Sequence, residues 1–306
     1  MAGPHGTTLP SAGLGHGGST PPVGQLEGER WDLVITPRQS WFSLHLSELW
    51  HYRDLLGLLI RRDFRATYAH TLLGPLWFVI EPIAKALVFT VVFGKIASIP
   101  TAGIPDFLFY LSGITIWNVF STCLNTNADF LVKNLGIFAK VYFPRLIVPL
   151  AQTVANLILF LVPLGLLALF IVFFWLRGSA IEITWALALL PAVVLVTAAL
   201  GLGLALVVSA LTVKYRDLGV MLTLGAGALL FISPAVAPLS EVEGGLRTAM
   251  ELNPMTPMIE WFRYGLLGAG TADAAWFAYS VGVSVILLVA GLMGVSRIER
   301  SFVDVA

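Results

Sequence analysis

The fold of this chain follows from two neighbouring stretches, LIVPLAQTVANLILFLVPLGLLALFIVFFWL (residues 146–176) and ITWALALLPAVVLVTAALGLGLALVVSALTV (residues 183–213). Only two charged residues, Arg177 and Glu182, occur between Leu146 and Val213. A helix that rises about 1.5 Å per residue crosses a hydrocarbon core of about 30 Å in roughly twenty residues. Each stretch is about thirty residues long, so both are predicted to be membrane-spanning helices.

The composition favours the same class. Of the 306 residues, 57% are hydrophobic and 12% are charged, whereas a soluble domain carries about 25% charged residues. The formal net charge is zero, so no overall basicity points to nucleic acid as a partner. Residues 1–40 begin with a stretch rich in Gly, Pro, Ser and Thr, which predicts a disordered cytosolic tail. The predicted fold class is an all-α integral membrane protein, in contact with membrane lipids.

Six transmembrane helices are predicted, at about residues 72–99, 107–127, 146–175, 185–211, 218–238 and 274–296, within a transmembrane domain of residues 72–300. Residues 41–71 mix apolar and charged positions near helical spacing. This pattern indicates an amphipathic helix in the cytosolic membrane interface, or a simple stop before the first span. Residues 239–273 are too charged to span and too apolar for a plain loop, so short re-entrant or interfacial external helices are expected before the last span.

The distribution of basic residues predicts the orientation. Thirteen Lys and Arg residues fall in the tail and connectors on one side of the six spans. The other side holds four, namely Lys95, Arg177, Arg247 and Arg263. Cytoplasmic connectors carry the excess of Lys and Arg in membrane proteins. Both termini of this multi-pass protein are therefore expected in the cytoplasm.

One ionisable pair lies inside a predicted span. Glu81 precedes Lys85 by four residues, so the two side chains can meet on one helix face. Charges at this depth cost at least a few kcal/mol each unless they are paired or hydrated. The pair is expected either to line a polar path or to lock the first helix against its neighbours.

Aromatic residues and a basic connector give two further candidate surfaces. Residues 77–120 are rich in Trp, Phe and Tyr, which serve packing and interfacial belts or offer stacking surfaces for sugar rings.

Residues 129–145 combine Lys with apolar residues. This connector is expected to form a short amphipathic helix that docks in the groove of a partner, or a plain interfacial connector.

The sequence lacks the motifs of several enzyme classes. No stretch fits the G-x-x-x-x-G-K-[ST] phosphate loop, and Gly94-Lys95 comes closest but has Phe89 at the first glycine position. Clustered acidic residues for a magnesium-bound diphosphate are missing, since the closest aspartates, Asp54 and Asp63, are nine residues apart. We expect no catalytic residue and no metal site on this chain, and hence no enzyme activity of its own.

Four motifs resemble, in order and spacing, the permease subunits of ABC-2-type exporters of polysaccharides and teichoic acids. They are Leu73-Gly74-Pro75-Leu76-Trp77 with Glu81-Pro82, Phe143-Pro144-Arg145, Tyr215-Arg216-Asp217, and Leu252-Asn253-Pro254-Met255-Thr256-Pro257 with Arg263 and Gly268. The similarity covers about residues 41–300. Glu81 replaces the glutamine expected before that proline, and the tail is additional.

The resemblance implies a channel built from two copies of this chain and two copies of a separate ATP-binding cassette subunit. ATP and magnesium would bind to that partner, and this chain would hold no cofactor. The implied channel-lining residues are Trp77, Glu81, Lys85, Phe89 and Phe231. The implied ATPase-coupling residues are Arg61, Arg62, Asp63, Lys133, Phe138, Lys140 and Arg145.

The resulting hypothesis is the transmembrane subunit of an ATP-driven exporter in the bacterial inner membrane. Its substrate would be a lipid-linked polysaccharide such as O-antigen, moved from the cytoplasm to the periplasm. One alternative is an ABC-2 exporter of a small hydrophobic drug or natural product. An ion-coupled secondary transporter is another, although only Glu81 offers a buried acid inside a span.

Overall fold

The computed structural model describes residues 53–68, 76–138, 143–215 and 217–303. This part of the chain consists of helices and connecting turns and contains no β-strand. The helices are α1 Arg53–Tyr68, α2 Trp77–Phe89, α3 Asp106–Asn127, α4 Phe130–Lys133, α5 Leu135–Phe138, α6 Ile147–Leu176, α7 Leu190–Thr212, α8 Leu218–Phe231, α9 Gly244–Leu252, α10 Met255–Leu267 and α11 Ala274–Val303. A π-helix, Thr90–Ile96, continues α2, and short 3₁₀ turns precede α7 and α9. The all-α prediction is confirmed.

Five helical segments of the described chain are long and apolar enough to cross a membrane. They are Trp77–Ile96, Asp106–Asn127, Ile147–Leu176, Trp185–Thr212 and Ala274–Ile298. Each overlaps a span expected from the sequence. The predicted tail lies outside the described residues, as do parts of the predicted interface helix and of the first span.

The expected fifth span differs most from its prediction. Helix α8 ends at Phe231, not at residue 238, and is 14 residues long. At about 1.5 Å per residue it reaches about 21 Å, less than a hydrocarbon core. The helix stops because Pro234 lacks the amide hydrogen that a further turn needs, and Ser233 Oγ instead donates to the carbonyl of Leu230 at 2.6 Å. The count of six spans stays a prediction.

Helices α3 and α7 hold the centre of the fold, and two glycines explain how closely their neighbours approach. A Cβ atom on Gly201 would lie 2.6 Å from the carbonyl oxygen of Phe120 in α3. A Cβ atom on Gly203 would lie 2.7 Å from the backbone nitrogen of Leu288 in α11. The two glycines are two residues apart and so face opposite sides of α7. Small residues thus let α7 pack between two other helices, as in many membrane bundles.

The outer helices of the bundle expose apolar side chains. Helices α2, α6 and α11 bury few of their residues within this single chain, and in α8 only Ala226 is buried. Examples of exposed residues are Val88, Leu169, Leu224 and Ile286. In water such surfaces would be costly, whereas a bilayer or a second protein covers them at no such cost.

An apolar cluster lies at the end of the bundle that the basic connectors occupy. Phe130, Leu131 and Ile147 are almost fully buried there. Leu55 and Leu59 of α1 pack against this cluster from the outside. Helix α1 therefore lies against the start of α6, next to the connector that precedes it.

Candidate functional site

The pair predicted inside the first span is formed. Lys85 Nζ lies 2.6 Å from Glu81 Oε1, and their side chains are 48% and 58% exposed. With this exposure the pair does not tie α2 to a neighbouring helix in the described part of the chain. Trp77 lies one turn before Glu81 and is also about half exposed. The open face of α2 therefore presents an indole ring and an ion pair, and the role of this face in a path stays a prediction.

An aromatic cluster joins α2 to α8. The ring centroids of Phe89 and Phe231 are 6.4 Å apart, and Phe93 lies 5.2 Å from Phe89 and 6.4 Å from Phe231. Tyr110 of α3 closes the group, at 6.1 Å from Phe89. The structure thus brings together Phe89 and Phe231, two predicted path residues that are more than a hundred positions apart in sequence.

The predicted coupling residues cluster at the other end of the bundle. The rings of Phe138 and Phe143 are 5.6 Å apart, and the Arg145 guanidinium lies 5.5 Å from the centre of the Phe138 ring. Lys133 forms an ion pair with Asp129 at 3.0 Å and is exposed. The connector contains two helices of four residues each, α4 and α5, and its docking role stays a prediction.

The remaining coupling residues lie on α1 or outside the described part. Arg61 and Arg62 are exposed on α1, and of the two only Arg61 lies on the face opposite Leu55 and Leu59. Lys140 and the side chain of Asp63 are outside the described residues. Helix α1 and Phe138 border the same apolar cluster, so the two predicted coupling segments are neighbours.

The sequence reasoning missed a buried ion pair on α10. Arg263 is 1% exposed and Glu260 is 5% exposed, with Arg263 Nη1 at 3.7 Å from Glu260 Oε1. Burial lowers the pKa of Arg263 to about 10, although Glu260 opposes this shift. Arg263 therefore remains protonated at neutral pH. The sequence placed Arg263 in the stretch of external helices, residues 239–273, and gave no sign that its charge is buried.

Arg263 connects three segments of the fold. Its Nη2 donates to the carbonyl of Pro234 at 2.9 Å and to that of Phe109 at 3.3 Å. Its Nε lies 3.4 Å from Ser112 Oγ, and its guanidinium stacks 3.7 Å above the Phe109 ring. Because Pro234 follows Phe231 by three residues, these bonds fix the end of α8, and with it the aromatic cluster, against α3.

A glycine makes room for this arrangement. A Cβ atom on Gly113 would lie 2.8 Å from the Cα of Ala235 and 3.1 Å from Arg263 Nη2. Any larger residue at this position of α3 would push the turn after α8 outward. The i, i+3 spacing of Glu260 and Arg263 was a signal for the pair. Their partners on α3 could not be read from local sequence.

Comparison with known proteins places these features in a family context. A family model described as ABC-2 type transporter matches residues 54–267. An O-antigen export system permease protein from Myxococcus xanthus is 29% identical over 246 residues, covering 79% of this chain and 91% of that protein. A protein of the same description from Klebsiella pneumoniae is 22% identical over 253 residues, covering 82% and 95%. A polysialic acid transport protein from Escherichia coli is 26% identical over 238 residues, covering 76% and 89%.

Proposed function

Because this chain belongs to the ABC-2 type transporter family, we propose that it is the transmembrane subunit of an ATP-driven polysaccharide exporter. Its substrate is a lipid-linked polysaccharide, such as an O-antigen, which it moves from the cytoplasm to the periplasm. Family membership implies an ATP-binding cassette partner, and ATP hydrolysis takes place on that separate chain. In this proposal the subunit itself makes and breaks no covalent bond.

The observation that carries the proposal is the breadth of the match to polysaccharide transporters. Relatives described as O-antigen export permeases and as a polysialic acid transport protein align over 76% to 82% of this chain. The same alignments cover 89% to 95% of those proteins. The similarity therefore extends through the transmembrane domain and is not confined to one motif.

The exposed residues of α2 and α8 support a path for sugar chains. Trp77 and Phe231 are both about half exposed, and the C–H faces of sugar rings pack well on aromatic planes. The neighbouring Glu81–Lys85 pair offers hydrogen-bonding groups without net charge. In the proposed homodimer, the sparsely covered faces of α2 and α8 from two copies line the channel.

The connector before α6 supports a mechanical role. Phe138 and Arg145 lie beside the apolar cluster on which α1 also rests. In the proposed assembly, two ATP-binding subunits bind ATP and magnesium and press on this surface. Closure of those subunits moves α1 and the connector together, and the motion passes through α6 into the bundle.

The proposed location is the bacterial inner membrane, with both termini in the cytoplasm. We call the end of the bundle that carries α1 and Arg145 the coupling side. The basic residues support this orientation because they concentrate in the connectors on that side. The glycan enters from that side and leaves at the end that carries Arg177 and Arg247.

A biochemical test uses the complex of this chain with the ATP-binding protein encoded beside it. We expect the two proteins to co-purify and to hydrolyse ATP in a vanadate-sensitive reaction. Phe138→Ala should lower this activity, because the substitution removes the ring that holds Arg145 and contacts the apolar cluster. Deletion of the chain in its host should remove the surface polysaccharide.

Phe173→Ala is the matched control. Phe173 also stacks on an arginine, with Arg177 at 4.4 Å from its ring centre, but it lies at the opposite end of α6. The control should keep the ATPase activity of the unmodified complex. Failure of any ATPase to co-purify, or surface polysaccharide that persists after the deletion, contradicts the proposed function.

A further inference from the structure

A polar strip runs along the coupling-side half of α3. Asn118, Thr122 and Asn125 are spaced i, i+4 and i+7, so their side chains share one helix face. Thr122 and Asn125 are exposed and Asn118 is partly exposed. The half of α3 toward its start, from Leu108 to Trp117, is buried. The strip is therefore the part of this central helix that remains open.

Nearby polar residues join α3 to α6 through side-chain hydrogen bonds. Asn156 donates to Thr126 Oγ1 at 2.9 Å, and Asn127 lies 3.4 Å from Thr153 Oγ1. Such side-chain bonds between helices are common in membrane bundles.

The side chains of the strip make no such bond. Within residues 53–68, 76–138, 143–215 and 217–303, no hydrogen bond joins the Asn118 or Asn125 carboxamide, or the Thr122 hydroxyl, to another group. Polar groups facing lipid tails cost free energy because the tails offer no hydrogen bond. A hydrogen-bonding occupant is thus favoured on this face.

Antiparallel packing sets the depth of the strip. Phe89 of α2 contacts Tyr110 of α3, with ring centroids 6.1 Å apart. Toward the coupling side, Trp77 precedes Phe89 by twelve residues on α2, and Thr122 follows Tyr110 by twelve residues on α3. Both lie about 18 Å from the contact, at about 1.5 Å per residue. Trp77 and the strip are therefore at the same depth on neighbouring helices.

We propose that Asn118, Thr122 and Asn125 form a glycan-binding strip at the cytoplasmic entrance of the export path. Carboxamides and hydroxyls both donate and accept hydrogen bonds, as the hydroxyls of a sugar chain do. The strip carries no charge, so it binds neutral sugar units. This inference rests on the proposed function, because that function assigns Trp77 and its depth to the path.

Other occupants fit the strip less well. Acyl chains leave the carboxamides unsatisfied. A glycan instead satisfies the polar groups, because its hydroxyls both donate and accept hydrogen bonds.

The first test places a photo-crosslinking amino acid at position 122 of the full chain, in host cells that make their own glycan and ATP-binding subunit. Illumination should yield an adduct that stains for carbohydrate and loses the stain after periodate oxidation. The same probe at Leu169, which is exposed on α6 toward the opposite end, should yield no carbohydrate adduct. A chain-to-chain dimer or a phospholipid adduct as the sole product at position 122 overturns the proposal.

The second test measures affinity with the assembled complex. The probe is the lipid-linked glycan extracted from cells that lack this chain, added to the complex in lipid nanodiscs. For Asn125→Leu, the glycan concentration that half-stimulates ATP hydrolysis should rise about fivefold, as expected for one lost hydrogen bond. Thr115→Val is the control, since its buried hydroxyl bonds only its own helix, at Leu111. The proposed strip is refuted if Asn125→Leu and Thr115→Val change the half-stimulating glycan concentration by the same factor.

The two proposals fail in distinguishable ways. Surface glycan that persists in cells lacking this chain refutes the proposed function. Loss of surface glycan in those cells, together with no glycan adduct at position 122, refutes only the strip.

Discussion

Replacing Arg263 by methionine should destabilise the protein more than any exposed charge substitution on the same side of the bundle. Arg263→Met keeps much of the side-chain volume but removes the guanidinium. Two backbone carbonyls, those of Pro234 and Phe109, lose their donor. Glu260 loses its ion-pair partner while it remains buried. The variant therefore leaves an uncompensated charge in the interior.

The size of this effect can be worked out from the contacts. Breaking a buried ion pair by removing one partner costs about 3–5 kcal/mol. For a chain of this size, about 1 kcal/mol corresponds to a shift of roughly 2–4 °C in the midpoint of thermal unfolding. Arg263→Met should therefore lower the midpoint by between about 6 and 20 °C.

The assay follows tryptophan fluorescence during heating of the complex in lipid nanodiscs. The chain has nine tryptophans, and Trp261 lies on the same helix as Arg263. Arg247→Met is the matched control, because Arg247 pairs with Glu251 at 2.9 Å on the neighbouring helix but remains exposed. An exposed pair contributes about 0–1 kcal/mol, so the control should shift the midpoint by a few degrees at most.

A second variant separates the charge from the geometry. Glu260→Gln combined with Arg263→Met removes both buried charges, so it should recover part of the lost stability. The reasoning is refuted if Arg263→Met shifts the midpoint no more than Arg247→Met does. It is also refuted if the double variant is less stable than the two single substitutions predict together.

Three further outcomes are expected. Gly203→Ala should lower the free energy of unfolding by about 1–3 kcal/mol through overpacking, because its Cβ would meet the backbone of α11. Gly165→Ala is the control: no atom lies within contact distance of its Cβ, so the midpoint of thermal unfolding should not change. Glu81→Gln should reduce the amount of folded protein in membranes by leaving Lys85 unpaired, and adding Lys85→Met should restore that amount, as measured by fluorescence-detected size exclusion. Deletion of residues 1–40 should leave co-purification with the ATP-binding subunit intact, and loss of the complex would contradict the assignment of these residues as a tail.

Local sequence determined the class of this protein. The absence of charge over lengths that match a bilayer identified the helices around residues 146–176 and 183–213, since no other environment suits such surfaces. Spacing alone predicted the Glu81–Lys85 pair, because residues four apart meet on any helix. Both inferences depend on geometry within one helix, and both agree with the structure.

Tertiary structure decided the features that join distant segments. The meeting of Phe89 with Phe231 depends on how α2 and α8 pack, which no periodicity encodes. Arg263 looked like a connector residue because its partners, Phe109 and Pro234, lie 154 and 29 positions away. A charge is stable in the interior only where such donors and acceptors converge, and that convergence exists only once the helices are packed together.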